Sequence, residues 1–212
     1  MKKLLLSTTV ALAALATTAF ATDLPNKKNA PAAPVAASAV ASTDSLSISY
    51  GQDFVNGSFG TKSSDAYGVS YSHKIDAFSV GAAISTSQNT SNTVKQNIEG
   101  QVGYSQPLVA GVTATGKVGI GQRFDSTNFP YFALYGAADY KLNDDITVNA
   151  IGYRYRSAID TAANGYQSHQ LSTGVTYNLS KTYSVSAKVA RNWDKDYNTT
   201  GDAATVSFNI KF

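Results

Sequence analysis

From Ser45 onward the chain alternates apolar and polar residues with a period of two, which is typical of β-strands whose faces meet different surroundings. This alternation predicts ten strands joined by polar or glycine-containing links. The predicted ranges are 45–54, 66–75, 77–87, 96–106, 111–123, 131–142, 146–156, 168–179, 183–193 and 203–212. Each range is close to the nine to eleven residues that a tilted strand needs to cross a bilayer.

In nearly every strand, the alternate residues that form one face, here called one parity, are apolar. The residues of the other parity are small and polar, with scattered charges. The apolar parity includes Leu46, Ile48, Val69, Val80, Ile98, Val102, Val118, Leu134, Val175 and Val189. Bulky aromatic residues concentrate near the strand ends, as in the two interfacial girdles of a membrane barrel. We therefore expect the apolar parity to face lipid and the polar parity to enclose a lumen. The alternative is a secreted soluble barrel or sandwich with its apolar parity inside.

The links between strands alternate between short and longer. The short ones lie at 75–77, 107–111, 143–145 and 180–182, and the five others are mostly longer and polar. An even number of strands with this alternation is typical of outer-membrane barrels, with both termini on the short-turn, periplasmic side. The predicted fold is all-β: a transmembrane antiparallel up-and-down β-barrel of ten strands, with eight as the alternative because the region from Arg123 to Arg156 is less regular.

Strand 146–156 breaks the parity, since Ile146 and Val148 occupy one phase whereas Ile151 and Tyr153 occupy the other. A β-bulge inserts one residue and exchanges the faces of a strand. We predict such a bulge within 149–152, which would keep Arg154 off the lipid face.

The amino-terminal residues have the features of a secretory signal. Lys2 and Lys3 precede an apolar run over 4–20, which ends in the small-x-small pattern Ala19-Phe20-Ala21. We expect a signal peptide over 1–21, a Pro- and Ala-rich periplasmic tether over 22–44, and a barrel over 45–212.

Two segments carry a family resemblance. The exported start followed by DLPNKKNAPAAP resembles the amino-terminal lead of small proteobacterial outer-membrane β-barrels of the porin-like and opacity type. The last strand, with Phe208, Ile210 and Phe212, is similar to the signal that the barrel-assembly machinery recognises, although Ser207 stands where a glycine is usual. The resemblance implies a location in the outer membrane of a Gram-negative bacterium, insertion by that machinery, and contact with outer-membrane lipid and lipopolysaccharide.

Composition excludes several other classes of protein. The 212 residues contain no cysteine, so a disulfide framework and a thiolate metal site are excluded. The formal net charge is +3, and loss of Lys2 and Lys3 with the signal would bring it close to neutral. Since nucleic-acid binding usually needs a clustered basic surface, we expect no nucleic-acid partner.

The polar parity contains a small set of charged residues that a barrel would enclose. Assumed hairpin pairings place Glu99 opposite Lys117, Lys117 opposite Asp139, and Asp139 opposite Asn149. An isolated charge in a narrow interior is costly, and an alternating hydrogen-bonded row offsets that cost. The row is interpreted either as a constriction that selects small solutes by charge or as a structural polar plug. A ten-stranded barrel leaves a thin channel at most.

All four arginines fall in the long-loop half of the predicted strands. Guanidinium groups suit bidentate phosphate contacts, so these residues are candidates for binding lipopolysaccharide phosphates. The candidates are Arg123, Arg154, Arg156 and Arg191. Nearby aspartates could equally neutralise them.

The sequence gives no pattern for catalysis. His73 and His169 are predicted at opposite membrane faces, and neither lies in a nucleophile motif. No metal-ligand spacing, phosphate loop or cofactor signature is present in the sequence. We expect no enzyme, no cofactor and no metal site.

Two functional hypotheses follow. In the first, the protein is porin-like and passes small solutes through a narrow lumen. In the second, it is a non-conducting structural or surface-interaction barrel, adhesin- or opacity-like, which acts through its extracellular loops. The oligomeric state stays open.

Overall fold

A computed structural model describes residues 42–55, 59, 61–160 and 165–212. The described residues form ten strands. They are β1 (Ser42–Phe54), β2 (Lys62–Ile75), β3 (Phe78–Asn89), β4 (Val94–Val109), β5 (Val112–Phe124), β6 (Phe129–Lys141), β7 (Ile146–Ala158), β8 (Gln167–Asn178), β9 (Tyr183–Asp194) and β10 (Thr199–Lys211).

The strands form one closed antiparallel barrel in which each strand pairs with its neighbours in sequence and β1 pairs with β10. The closing ladder places Leu46 opposite Ile210 and Ile48 opposite Phe208. Closure leaves no strand edge with unpaired N–H and C=O groups, which is the condition for strands to cross lipid. The predicted fold and the ten-strand count are confirmed, and the eight-strand alternative is wrong.

The predicted segments before the barrel fall largely outside the described residues. The signal peptide over 1–21 and most of the tether over 22–44 belong to that part of the chain. Residues 42–44 are an exception, because they already pair with β2 as the start of β1. In the described ranges, no helix is long and apolar enough to cross a membrane.

The two faces of the barrel have the reverse of a soluble protein's polarity. Large apolar side chains are exposed on the outside, among them Ile120 at 69% and Phe78 at 61%. Inside, Glu99 is 2% exposed. An apolar outer belt of this extent is stable only against lipid, so the apolar parity faces the membrane as predicted and the soluble alternative is wrong.

Aromatic pairs mark both rims of the apolar belt. Phe78 and Tyr104 lie 5.1 Å apart between ring centroids on the short-turn side. Tyr50 and Tyr67 lie 5.4 Å apart on neighbouring strands towards the long-loop side. Amphipathic rings at these two levels fit the headgroup regions of a bilayer, as expected for a barrel that crosses a membrane.

The predicted bulge in β7 is present. The β7–β8 register shifts between Asn149 and Gly152, and the β6–β7 register shifts between Ala138 and Asp139. Beyond the shift, Ile151 and Tyr153 face outward and Arg154 faces the lumen, where it lines the interior cavity. One inserted residue therefore keeps an arginine out of lipid.

Candidate functional site

The interior of the barrel holds a polar cavity of about 1090 Å³, to which all ten strands contribute residues. At the long-loop end the cavity is lined by Asn89 and Asp194, and it extends to Thr176 and Asn209. These last two residues lie two positions from the short-turn ends of β8 and β10. The cavity therefore follows most of the barrel's length.

The lumen is divided lengthwise into an open side and a filled side. Most of the cavity lining comes from β7 to β10 and β1 to β3, including Ser49, Ser70, Ser172, Ser186 and Ser207. The opposite wall, formed by β4 to β6, is covered by a cluster of larger side chains around Glu99. We call this group the Glu99 cluster; it consists of Glu99, Gln101, Tyr131, Tyr135 and Arg156.

Glu99 is the centre of this cluster and accepts hydrogen bonds from its four other members. Tyr131 Oη donates to Oε2 at 2.8 Å and Gln101 Nε2 donates to Oε1 at 2.7 Å. Tyr135 Oη also donates to Oε1. Arg156 Nη2 lies 2.9 Å from Oε2 as an ion pair, and its guanidinium stacks over the Tyr131 ring at 5.0 Å. Because its acceptor sites are occupied in this way, the carboxylate holds the cluster together and is not available as a free base.

Two glycines of β5 make room for the cluster. A Cβ at Gly119 would lie 2.8 Å from Glu99 Oε1. A Cβ at Gly121 would lie 2.6 Å from both the Tyr131 side chain and the Ile98 carbonyl oxygen. The filled side of the lumen therefore depends on the absence of side chains on the adjacent strand.

Of the four residues predicted as a lumenal row, Asp139 and Asn149 are paired as expected. They lie opposite each other on β6 and β7, and Asn149 Nδ2 donates to Asp139 Oδ1 at 2.8 Å. Lys117 also lies inside the barrel, where the charges of Asp139 and Glu99 act on it. All four residues are therefore in the lumen.

The two other predicted pairings are wrong. Glu99 is opposite Gly121 rather than Lys117, because the β4–β5 hairpin turns later than predicted. The chain reverses at Ala110 and Gly111, where Gly111 has a φ of 79° that glycine adopts without a steric penalty.

The pairing of Lys117 with Asp139 fails for a similar reason. β6 begins at Phe129, so the β5–β6 link is shorter than predicted and Lys117 lies opposite Tyr135. The row is thus replaced by two groups, the Glu99 cluster and the Asp139–Asn149 pair.

Sequence reasoning missed Tyr131, Tyr135 and Arg156 as lumenal residues. The signal for the two tyrosines was available, since they share the parity of Asp139 on β6. Arg156 shares the parity of Arg154, which the predicted bulge had already turned inward. The lipopolysaccharide assignment of Arg154 and Arg156 is wrong, because both line the interior cavity.

Arg123 also belongs to the lumen rather than to the lipid face. It lines the cavity near the long-loop end and forms an ion pair with Asp125 at 3.1 Å. Its guanidinium lies 5.0 Å from the centroid of the Tyr166 ring. The side chain is therefore held at the cavity's outer end, and its predicted contact with lipopolysaccharide is wrong.

Arg191 is the fourth arginine, and it shares the outward parity of the exposed Val189. Its Nε lies 2.7 Å from Asp202 Oδ1 on β10, and its side chain is 48% exposed. Part of the Arg191 side chain is thus accessible at the outer rim, although Asp202 already neutralises its charge.

The histidines lie at opposite ends of the barrel, as predicted. His73 Nδ1 is 2.8 Å from Asp44 on the short-turn side. His169 Nδ1 is 2.6 Å from Tyr153 Oη and its ring stacks on Tyr197. Within the described ranges, no group of His, Asp and Glu side chains has the arrangement of a metal site.

Comparison with known proteins identifies a family that matches most of the chain. A family model described as "Putative MetA-pathway of phenol degradation" matches residues 64–210. No curated protein matches the chain.

Three solved structures are similar to the chain, and the first of them shares its fold. An outer membrane channel from Pseudomonas putida F1 has a TM-score of 0.51 at 9% identity, covering 89% of this chain and 100% of that one. The KdgM porin has a TM-score of 0.41 at 12% identity, over 79% and 99% of the two chains. Neisserial surface protein A has a TM-score of 0.37 at 10% identity, over 80% and 95%.

Proposed function

The chain belongs to the MetA-pathway phenol-degradation family, and from its barrel geometry we propose that it is an outer-membrane channel for small solutes. The observation that carries this proposal is the polar cavity of about 1090 Å³ along one side of the lumen. Glycines and the short side chains of serine and threonine on that wall leave space for water. Solutes would pass beside the Glu99 cluster rather than through it.

Planar-bilayer recording tests this function directly. We expect purified protein to give discrete conductance steps, small compared with those of 16-stranded porins because ten strands enclose a narrower lumen. The family description names phenol degradation, so phenol is the first solute to add as a blocker of the ionic current. Recordings without steps above background, from protein shown to be folded by heat-modifiable gel migration, would contradict the proposal.

A matched pair of substitutions links the current to the cavity. Ser207→Trp places a bulky ring on the cavity wall, whereas Val206→Trp places the same ring on the lipid face. We expect the first variant to lose most of the conductance and the second to retain it. Equal currents in both variants would show that the solute path is not the described cavity.

A second candidate is a non-conducting barrel that acts through its loops. The filled side of the lumen supports this alternative, as does Tyr197, which is 72% exposed in the β9–β10 loop. Replacement of the β9–β10 loop by a short glycine-containing turn should then abolish surface binding without changing barrel stability. If loop replacement leaves cell binding and envelope integrity unchanged, this candidate fails.

We also propose two contacts with the envelope. The first is a contact of Arg191 with a lipopolysaccharide phosphate, which the 48% exposure of this side chain supports. Phe208, Ile210 and Phe212 remain the proposed recognition signal for the barrel-assembly machinery. Loss of membrane insertion in Phe212→Ala, with normal export, would support the second contact, and normal insertion would contradict it.

A further inference from the structure

Arg154 is a buried lumenal cation without a partner for one of its donors. It projects from β7 into the lumen, where it lines the cavity. Its Nε atom is inaccessible to solvent and makes no hydrogen bond within the described part of the chain. No carboxylate of the described residues lies within ion-pair distance of its guanidinium, in contrast to Arg156, which Glu99 neutralises. A guanidinium left in this state has unused capacity to bind an anion.

Lys188 lines the same cavity from β9. It lies close enough to Arg154 and Asp139 for both charges to act on it. Lys117 is the third cation of this group, because it lies close enough to Lys188 and Asp139 for their charges to act on it. Among the described residues, two carboxylates act on these three cations, Asp139 and Glu99, and Glu99 is already paired with Arg156.

Arg123 and Lys95, the cations nearer the cavity's outer end, do not extend this excess, because they share Asp125 and because Asp53 and Asp194 line the same end of the cavity. Asp125 lies 3.1 Å from Arg123 and 3.6 Å from Lys95. The excess of positive charge is thus deep in the lumen, next to the open side, where any permeating solute must pass. In a narrow interior of low effective dielectric, uncompensated cations are costly and attract a counter-ion strongly.

We propose that Arg154 and Lys188 form a binding site for a small monovalent anion in the lumen, and that the channel is therefore selective for anions over cations. The guanidinium would supply directed N–H donors from β7, and the ammonium would supply a point charge from β9, two strands away. Fixed charges at a constriction set ion selectivity in this way in other pores. This inference rests on the proposed channel function, whose substrate class it specifies.

The test is the reversal potential of single channels in a KCl gradient. We expect the wild-type barrel to conduct chloride in preference to potassium. Arg154→Gln and Lys188→Gln should each lower the chloride-to-potassium permeability ratio by about twofold or more, because each removes one charge from the narrow lumen. Lys181→Gln is the matched control: it removes the same charge from an exposed turn between β8 and β9 and should leave the ratio unchanged.

A second measurement separates failure of this site from failure of the channel. Crystals soaked in bromide should show an anomalous peak between Arg154 and Lys188 that disappears in Arg154→Gln. A channel that conducts without preference for chloride, or with an unchanged ratio in both variants, overturns the inference and leaves the channel intact. A silent wild-type barrel overturns the channel and, with it, anion selectivity; the bromide peak then decides whether the anion site itself exists.

Discussion

Arg156 Nη2 lies 2.9 Å from Glu99 Oε2, and this ion pair joins β7 to β4 across the inside of the barrel. The two residues are 57 positions apart in the sequence, and β5 and β6 separate their strands. The pair therefore ties together strands that share no backbone hydrogen bonds. Because Tyr131 and Tyr135 bind the same carboxylate, one acidic residue holds the filled side of the lumen in place.

Glu99→Gln should destabilise the barrel by about 3–5 kcal/mol, since breaking a buried pair leaves the charge of Arg156 uncompensated. The measurement is urea unfolding in lipid vesicles, followed by tryptophan fluorescence of Trp193. Asp144→Asn is the control, because the Lys141–Asp144 pair lies in an exposed turn and should contribute less than about 1 kcal/mol. A Glu99→Gln barrel as stable as the Asp144→Asn barrel would contradict the role given to this carboxylate.

Gly121→Ala should destabilise the barrel by about 1–3 kcal/mol, because its methyl group would overlap the Tyr131 side chain and the Ile98 carbonyl. Gly136→Ala provides a matched control on β6, where a Cβ meets no atom within 4 Å. The two unfolding midpoints can be compared in the same vesicles. Equal midpoints would show that the Glu99 cluster is not tightly packed against β5.

A charged residue on the lipid face should lower the free energy of unfolding more than the same residue in the lumen does. Val206 faces outward and is 53% exposed, whereas its neighbour Ser207 lines the cavity. We expect Val206→Lys to lose about 2–4 kcal/mol, as for a cation near the bilayer midplane, and Ser207→Lys to lose much less. Urea titration of both variants measures the difference. A larger loss of stability for Ser207→Lys would mean that Ser207, and not Val206, faces lipid.

Asp125, in the link between β5 and β6, should stay ionised in mild acid. Burial of the Asp125 carboxyl opposes its ionisation, but hydrogen bonds from the Ser126 backbone and Arg123, with the charges of Lys95 and Arg123, hold its pKa below the ordinary 3.8. Since the folded-state pKa is depressed, the stabilisation is present above pH 3.8 and is lost as the pH falls through the folded value.

Carbon-13 NMR of the aspartate carboxyls in detergent micelles checks this expectation, with Asp125→Asn to assign the resonance. The Asp125 midpoint should lie below 3.8. A midpoint at or above that value would mean that the contacts with Arg123 and Lys95 do not persist in solution.

The fold was predictable because the two faces of each strand obey one simple rule. Lipid requires apolar residues on every second position, so Val118, Val175 and their counterparts mark strand number and orientation without any tertiary information. The bulge in β7 was predictable for the same reason, since the change of parity between Val148 and Ile151 keeps apolar residues outward only if one residue is inserted between them.

The lumen was harder to predict, because its contacts depend on register. An error of a few residues in one hairpin moves every cross-strand partner, and the position of the β4–β5 turn depends on the backbone of Gly111. The contact between Glu99 and Arg156 also crosses the barrel, so no pairing rule for adjacent strands could have identified it.

Spin labelling at two adjacent positions of β8 tests the central claim, that a lipid-facing wall encloses a wet lumen. The chain has no cysteine, so Val175→Cys and Thr176→Cys each give one labelled site. In liposomes, the label at 175 should be accessible to oxygen and shielded from a water-soluble nickel chelate, because Val175 is 43% exposed on the outside. The label at 176 should show the reverse, since Thr176 lines the cavity. A label at 176 that only oxygen reaches would contradict the account.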